Sequence, residues 1–153
     1  MYLFCLCYTT INVPLPSSFL KKRSREFCTS SWQSRWNNTT KGRYTFQFFK
    51  EVSIDRLIGD YLLNLFFSNR GPFPSFKFYI GKSLSPSCIC GSLGDSLHYI
   101  TNCPLTSQFH IRSPSSTFSE LWFNNLATSS FCHTRIRRLV SWLLSHETDI
   151  LPT

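Results

Sequence analysis

Apolar residues recur every three to four positions in two stretches of the chain. In the first, Ile54, Leu57, Ile58, Tyr61, Leu62, Leu65 and Phe66 follow Ser53 at the spacing of one helix face, and Asn69, Gly71, Pro72 and Pro74 end the pattern. In the second, Ile136, Leu139, Val140, Leu143 and Leu144 predict a helix from about Ser130 to His146, flanked by Arg135, Arg137 and Arg138 on the expected solvent side. A helix from about Ser116 to Ala127 presents Phe118, Leu121, Trp122 and Leu126, and a shorter one is expected from Pro104 to Ile111, before Pro114. Upstream, Ser17 or Ser18 is placed to cap a helix reaching about Asn37, with Leu20, Phe27, Cys28, Trp32 and Trp36 falling roughly on one side. Turn-forming residues occupy Asn37 to Gly42. The β-prone run YTFQFF, Tyr44 to Phe49, predicts a short strand or an extended arm, and the stretch up to Pro86 an aromatic loop.

Together these elements predict a mainly α fold: a small helical domain of about five helices around an aromatic core. Four segments follow. Residues 1–12 are an apolar start expected to lie outside the fold; 13–50 hold the Trp-bearing helix and arm; 51–112 hold a helix and a Cys/His-rich stretch; 113–153 form a C-terminal helical pair. A chain of 153 residues with 42% hydrophobic and 16% aromatic content has material for a core and argues against disorder. Charged residues make up only 16%, below the roughly 25% usual for a soluble domain, which suggests a fragment of something larger.

The charge that exists is uneven. Sixteen Lys and Arg against eight Asp and Glu give +8. Lys21, Lys22, Arg23, Arg25, Arg35, Lys41 and Arg43 crowd the first helix and its turn, where Glu26 is the lone acid. Clustered cations favour a polyanion, since each neutralised phosphate releases condensed counterions; a solvated helix face is the plainer reading. Seven cysteines, an odd number, do not suit a secreted disulfide framework, and no basic n-region precedes the apolar start. No segment approaches the roughly 20 apolar residues of a membrane span. An intracellular, reducing setting, nuclear or cytoplasmic, with no membrane partner, is expected.

Three of the cysteines and one histidine fall close together, as Cys88-x-Cys90-x7-His98-x4-Cys103. A Cys3His set is a standard closed tetrahedral zinc site. Gly91 lets the backbone turn after the Cys pair, and Asp95 is placed to cap a helix carrying His98. On a regular helix Cys103 would be rotated about 140° from His98. Pro104 offers the remedy, because the residue before a proline is pushed out of helical geometry. Buried free thiols beside a core histidine are the alternative.

Catalytic chemistry is scarce. The acids Glu26, Glu51, Asp55, Asp60, Asp95, Glu120, Glu147 and Asp149 are scattered, with no pair of the kind a two-metal site needs. Gly81-Lys82-Ser83 has the ending of a phosphate-binding loop, but Phe76 stands where that loop needs its first glycine. His110, His133 and His146 are isolated. The chain is not expected to be an enzyme.

WQSRWNNTTKGRYT, then an aromatic helix, then CICGSLGDSLHYITNCP, resembles the C-terminal tail of Pol polyproteins of arthropod-type, LINE-like non-LTR retrotransposons. Trp32, Trp36, Gly42, Arg43 and Thr45 match the family's first element; Cys88, Cys90, Gly91, Asp95, His98, Cys103 and Pro104 match its zinc-binding segment. The resemblance covers about residues 13 to 112. It departs at Asn69-Arg70-Gly71, where relatives tend to carry a Gly-His-Gly-like turn, and the reverse transcriptase, endonuclease and ribonuclease H regions that precede the tail are missing. It implies a truncated reverse transcriptase tail that holds Zn2+ on Cys88, Cys90, His98 and Cys103.

The expected function is zinc-dependent binding of RNA or DNA, without catalysis. Lys21, Lys22, Arg23, Arg25, Arg35, Lys41 and Arg43 would contact phosphates, and Tyr99 would stack on a base. The rival expectation is a zinc-stabilised scaffold that docks on the remainder of a Pol protein, through a stripe formed by Trp32 and Trp36, and touches no nucleic acid.

Overall fold

The computed structural model describes residues 16–53 and 60–147. Among the described residues the chain is helical: α1 (Ser17–Asn38), α2 (Arg43–Phe46), α3 (Tyr61–Ser68), α4 (Pro74–Tyr79), α5 (Ser96–Thr101), α6 (Ser119–Thr128) and α7 (Ser130–Ser145). Two 3-10 segments, Pro104–Phe109 and Ser116–Phe118, complete it, and a lone antiparallel bridge joins Ser87 to Leu93. The mainly α expectation holds.

The centre of the core is α7 against α3. Ile136, Leu139, Val140 and Leu143 are fully buried, the positions its apolar period picked out; Leu144 is exposed. Burial of such side chains is worth roughly 1.5–3 kcal/mol each. They meet Leu63, Phe66 and Phe67 of α3 and Leu126 of α6. Phe48 fills the space between, edge-on to Phe67 at 5.0 Å and to Phe123 at 5.3 Å.

Asp60 fixes where α3 starts and how it meets α7. One carboxylate oxygen accepts the Leu62 and Leu63 amides at 3.0 and 3.2 Å, and the other pairs with Arg137. The hydrogen bond from Arg137 holds this carboxyl below its ordinary range, against a smaller opposing effect of burial. The expected start of this helix at Ser53, with Ile54, Leu57 and Ile58, lies outside the described residues.

Four expectations are corrected. Arg135 and Arg137 are not free solvent-side cations: Arg135 donates to the His110 carbonyl at 2.6 Å and Arg137 pairs with Asp60, leaving Arg138 exposed. YTFQFF is neither strand nor extended arm; its first residues form α2, and Phe48 and Phe49 donate their amides back to the Thr45 carbonyl. A helical turn sends Tyr44 and Phe48 together into the core and Phe46 the other way, onto Trp36, whereas a strand would put all three on one face. The aromatic loop contains α4, started by Pro74 at a position where its missing N–H costs nothing. Finally, α1 buries none of its residues, and Leu20, Phe27 and Trp32 are exposed. From Leu20 to Trp36 its apolar positions drift roughly 180° around the axis, too wide for one buried stripe.

Candidate metal centre and basic helix

α5 is bolted to the core before it carries any chemistry. The Leu97 amide donates to the Tyr44 hydroxyl at 3.2 Å, Tyr44 meets Ser96 Oγ at 2.6 Å, and Ser96 Oγ donates to the Phe66 carbonyl at 2.9 Å. Burial holds the Tyr44 phenol in its protonated, donating form. Asn69, left-handed at φ 53°, ends α3 and accepts the Ser96 amide at 2.8 Å. Asp95 caps α5 as expected, accepting the His98 amide at 2.8 Å, and burial pushes its carboxyl up.

The far end of α5 brings in the ligands. Asn102 and Cys103 both donate their amides to the His98 carbonyl, at 2.9 and 3.0 Å, and Cys103 leaves the helix with φ −68° and ψ 121°. This is the extended conformation that Pro104 imposes. Across from it, Cys88 to Gly91 form a tight turn: the Gly91 amide donates to the Cys88 carbonyl at 2.8 Å and the Cys88 amide to the Ser92 carbonyl at 2.7 Å. Gly91 has φ 90°, which a side chain would resist.

Cys88, Cys90, His98 and Cys103 thus converge, their ligand atoms all within 4.8 Å of one another. Cys88 Sγ lies 3.7 Å from Cys103 Sγ, and Cys90 Sγ lies 3.2 Å from His98 Nε2. A tetrahedral ion with sulfurs at ~2.3 Å needs sulfurs ~3.8 Å apart. The group can hold a metal ion. Cys88 and Cys103 form its buried side and Cys90 its exposed lip, with His98 half-buried. Burial pushes the Cys103 thiol up to about 12 and lowers His98, which favours neutral imidazole, the ligating form. At Cys90 burial is outweighed by hydrogen bonds from Ser92 and its cysteine neighbours, and the thiol lies below its ordinary value. Cys28 and Cys132 stay outside the cluster, as free thiols.

The predicted nucleic-acid contacts divide. Lys21, Lys22, Arg23, Arg25, Arg35 and Lys41 are exposed on or just after α1; Arg23 sits 3.4 Å from Glu26. Arg43 has another task. Its guanidinium lies 4.0 Å from the Phe46 ring centroid and 5.5 Å from that of Trp36, and it donates to the Trp36 and Asn37 carbonyls, closing the end of α1. Gly42, at φ 71°, has the Trp36 ring 3.0 Å from where a Cβ would stand. Trp36 is accordingly half-buried and donates to the Phe49 carbonyl at 2.8 Å, while Trp32 stays exposed. Gln33 adds a second tie between α1 and the following segment, to Lys50 and Val52.

Tyr99 does not fit a stacking role. It is fully buried between Phe73 and His98. Ser96, Tyr99, Ile100 and Cys103 are all buried, at the i, i+3, i+4, i+7 spacing of a core face, so the signal that Tyr99 points inward was present in the sequence. Tyr44 and Asn69, which hold α5 in place through contacts 27 to 53 residues away in sequence, carry no such local signal.

Over 88 residues the chain is 31% identical to a protein of Nasonia vitripennis named Retrovirus-related Pol polyprotein from type-1 retrotransposable element R1 3. The chain is similar to part of a retrotransposon Pol polyprotein. The match takes in 52% of this chain but only 22% of that Pol polyprotein. No protein-family model and no solved structure matches the chain. Among the described residues, no helix is long and apolar enough to cross a membrane.

Proposed function

We propose that this chain is a tail segment of a non-LTR retrotransposon Pol polyprotein that binds RNA or DNA around one zinc-held knuckle. The observation that carries the nucleic-acid part is the state of α1. It buries no residue, it projects Lys21, Lys22, Arg23 and Arg25 into solvent, and Arg35 and Lys41 continue the charge. A phosphate backbone is the polyanion such a row suits. Zinc is the ion that a closed Cys3His set selects, and the 3.7 Å between Cys88 Sγ and Cys103 Sγ suits it. The zinc is structural: it ties the Cys88 turn to α5, and α5 is tied in turn to the core.

No catalysis is assigned to the chain. Asp60 and Asp95 are occupied as helix caps, and Glu26, Glu120 and Glu147 pair with Arg23, Lys50 and Lys77. A reducing compartment, nuclear or cytoplasmic, keeps the thiols available to the metal.

A second reading has its own support. Phe19, Leu20, Phe27 and Trp32 are 46, 49, 74 and 43% exposed along α1, which suits a scaffold docked on the remainder of a Pol protein. Salt separates the two. Affinity for a short RNA and a short duplex, measured at several salt concentrations, falls steeply if phosphates are the partner. Binding that is absent in low salt, or insensitive to salt, refutes the nucleic-acid reading and leaves the scaffold. Elemental analysis of the purified chain tests the zinc.

A further inference from the structure

Tyr99 has the one polar atom in the knuckle with no visible purpose. Its ring is fully buried, packed on Phe73 and His98, and its hydroxyl is closed off from solvent without a hydrogen-bond partner. A buried hydroxyl left without a partner is destabilising, and an apolar residue of the same shape would avoid that cost. The hydroxyl is not among apolar groups, however. It lies beside Cys88, and the other two thiols of the cluster are near enough to act on it.

A loaded Cys3His site explains the placement. Three thiolates and a divalent ion leave one net negative charge, here set against Phe73 and Ile100 in the core. Such a charge is stabilised by donors aimed at the sulfurs. The Ser92 amide and hydroxyl lie beside Cys90, and the Leu105 amide lies beside Cys103. Cys88, the third thiol and a buried one, shares the core cluster with Tyr99, and the hydroxyl lies beside it.

We propose that Tyr99 is a positioning residue of the metal centre, its hydroxyl donating to the Cys88 thiolate once the ion is bound. The role exists only if the Cys-Cys-His-Cys set takes a metal, as proposed above. A donor on one buried thiolate fixes that sulfur's orientation and withdraws electron density from it. A thiol is only a weak acceptor, so the Tyr99 hydroxyl gains a strong one when Cys88 becomes a metal-bound thiolate.

The test is Tyr99→Phe in the full chain, titrated with cobalt(II) as a spectroscopic substitute for zinc. Loss of such an outer partner lowers metal affinity by about 10–100-fold. The thiolate-to-cobalt charge-transfer band should also move to lower energy, because a sulfur without its donor is easier to oxidise. Equal or tighter cobalt binding with an unchanged band would mean that Tyr99 only fills space, and would overturn the proposal. If Tyr99→Phe does not fold, 3-fluorotyrosine at position 99 keeps the shape and strengthens the donor. The band should then move to higher energy, and an unmoved band overturns the proposal equally. Wild-type protein that takes up no cobalt sinks the metal reading itself; wild type that binds cobalt just as Tyr99→Phe does sinks only the role of Tyr99.

Discussion

Cys103→Ser tests the metal centre most directly. Cys103 has no exposed surface, its Sγ is 3.7 Å from Cys88 Sγ, and it is the ligand that Pro104 turns back toward the others. Serine fits the space, but its hydroxyl keeps its proton near neutral pH and supplies no anionic ligand. Structural zinc contributes about 10–16 kcal/mol in finger peptides. Shared equally among four ligands, one ligand is worth ~3 kcal/mol, so affinity should fall by about 100-fold or more. Competition against a chromophoric chelator at pH 7 measures this. Proton release gives a second reading. Burial holds the free Cys103 thiol at about 12, so at neutral pH it must give up a proton to the solvent when metal binds. Wild type should therefore release one proton more per metal than Cys103→Ser, and its affinity should weaken more steeply as pH falls. Calorimetry in buffers of different ionisation enthalpy counts the difference. Cys132→Ser is the control, since Cys132 is buried in α7 but outside the cluster. A Cys103→Ser protein that still binds one equivalent at wild-type affinity would refute the site.

Replacing Lys21, Lys22, Arg23 and Arg25 together with Gln should weaken binding to every nucleic-acid sequence about equally and flatten the salt slope by about four units, with helix content by circular dichroism unchanged. Equal slopes would reduce α1 to a solvated face. Gly42→Ala forces a side chain into a left-handed turn 3.0 Å from the Trp36 ring, and should destabilise the chain by ~1–3 kcal/mol in urea titration while altering Trp fluorescence; an unchanged midpoint would contradict the packing of Trp36 on that turn. Asp60→Asn keeps a competent helix cap but loses the charge facing Arg137, for a cost below ~1 kcal/mol at neutral pH because both partners are partly exposed. The folded carboxyl lies below its ordinary value, so this contribution is present above the unfolded pKa and is lost as pH falls through the folded one. The urea midpoints of Asp60→Asn and wild type should converge in acid, and a gap that widens there would be the wrong sign.

Local chemistry was legible from the residues alone. The apolar period placed α7 and its core face. Asp95, Gly91 and the Cys103-Pro104 pair forecast the cap, the turn and the exit that gather the four ligands, because each depends on a residue's own backbone preferences and its near neighbours. The inward side of Tyr99 was there too, in the spacing of Ser96, Tyr99, Ile100 and Cys103, and its burial excludes the expected role as a surface for bases. Other features belonged to the tertiary structure. That Tyr44 and Asn69 would hold α5, and that Arg137 would pair with Asp60, are matters of what arrives from far along the chain. YTFQFF shows the reason most plainly. Its intrinsic preference is for strand, yet it coils, because Trp36 on one side and Phe66 and Phe67 on the other need Phe46 and Phe48 to point opposite ways. Propensity is worth tenths of a kcal/mol per residue and burial of an aromatic ring several times that, so packing decides.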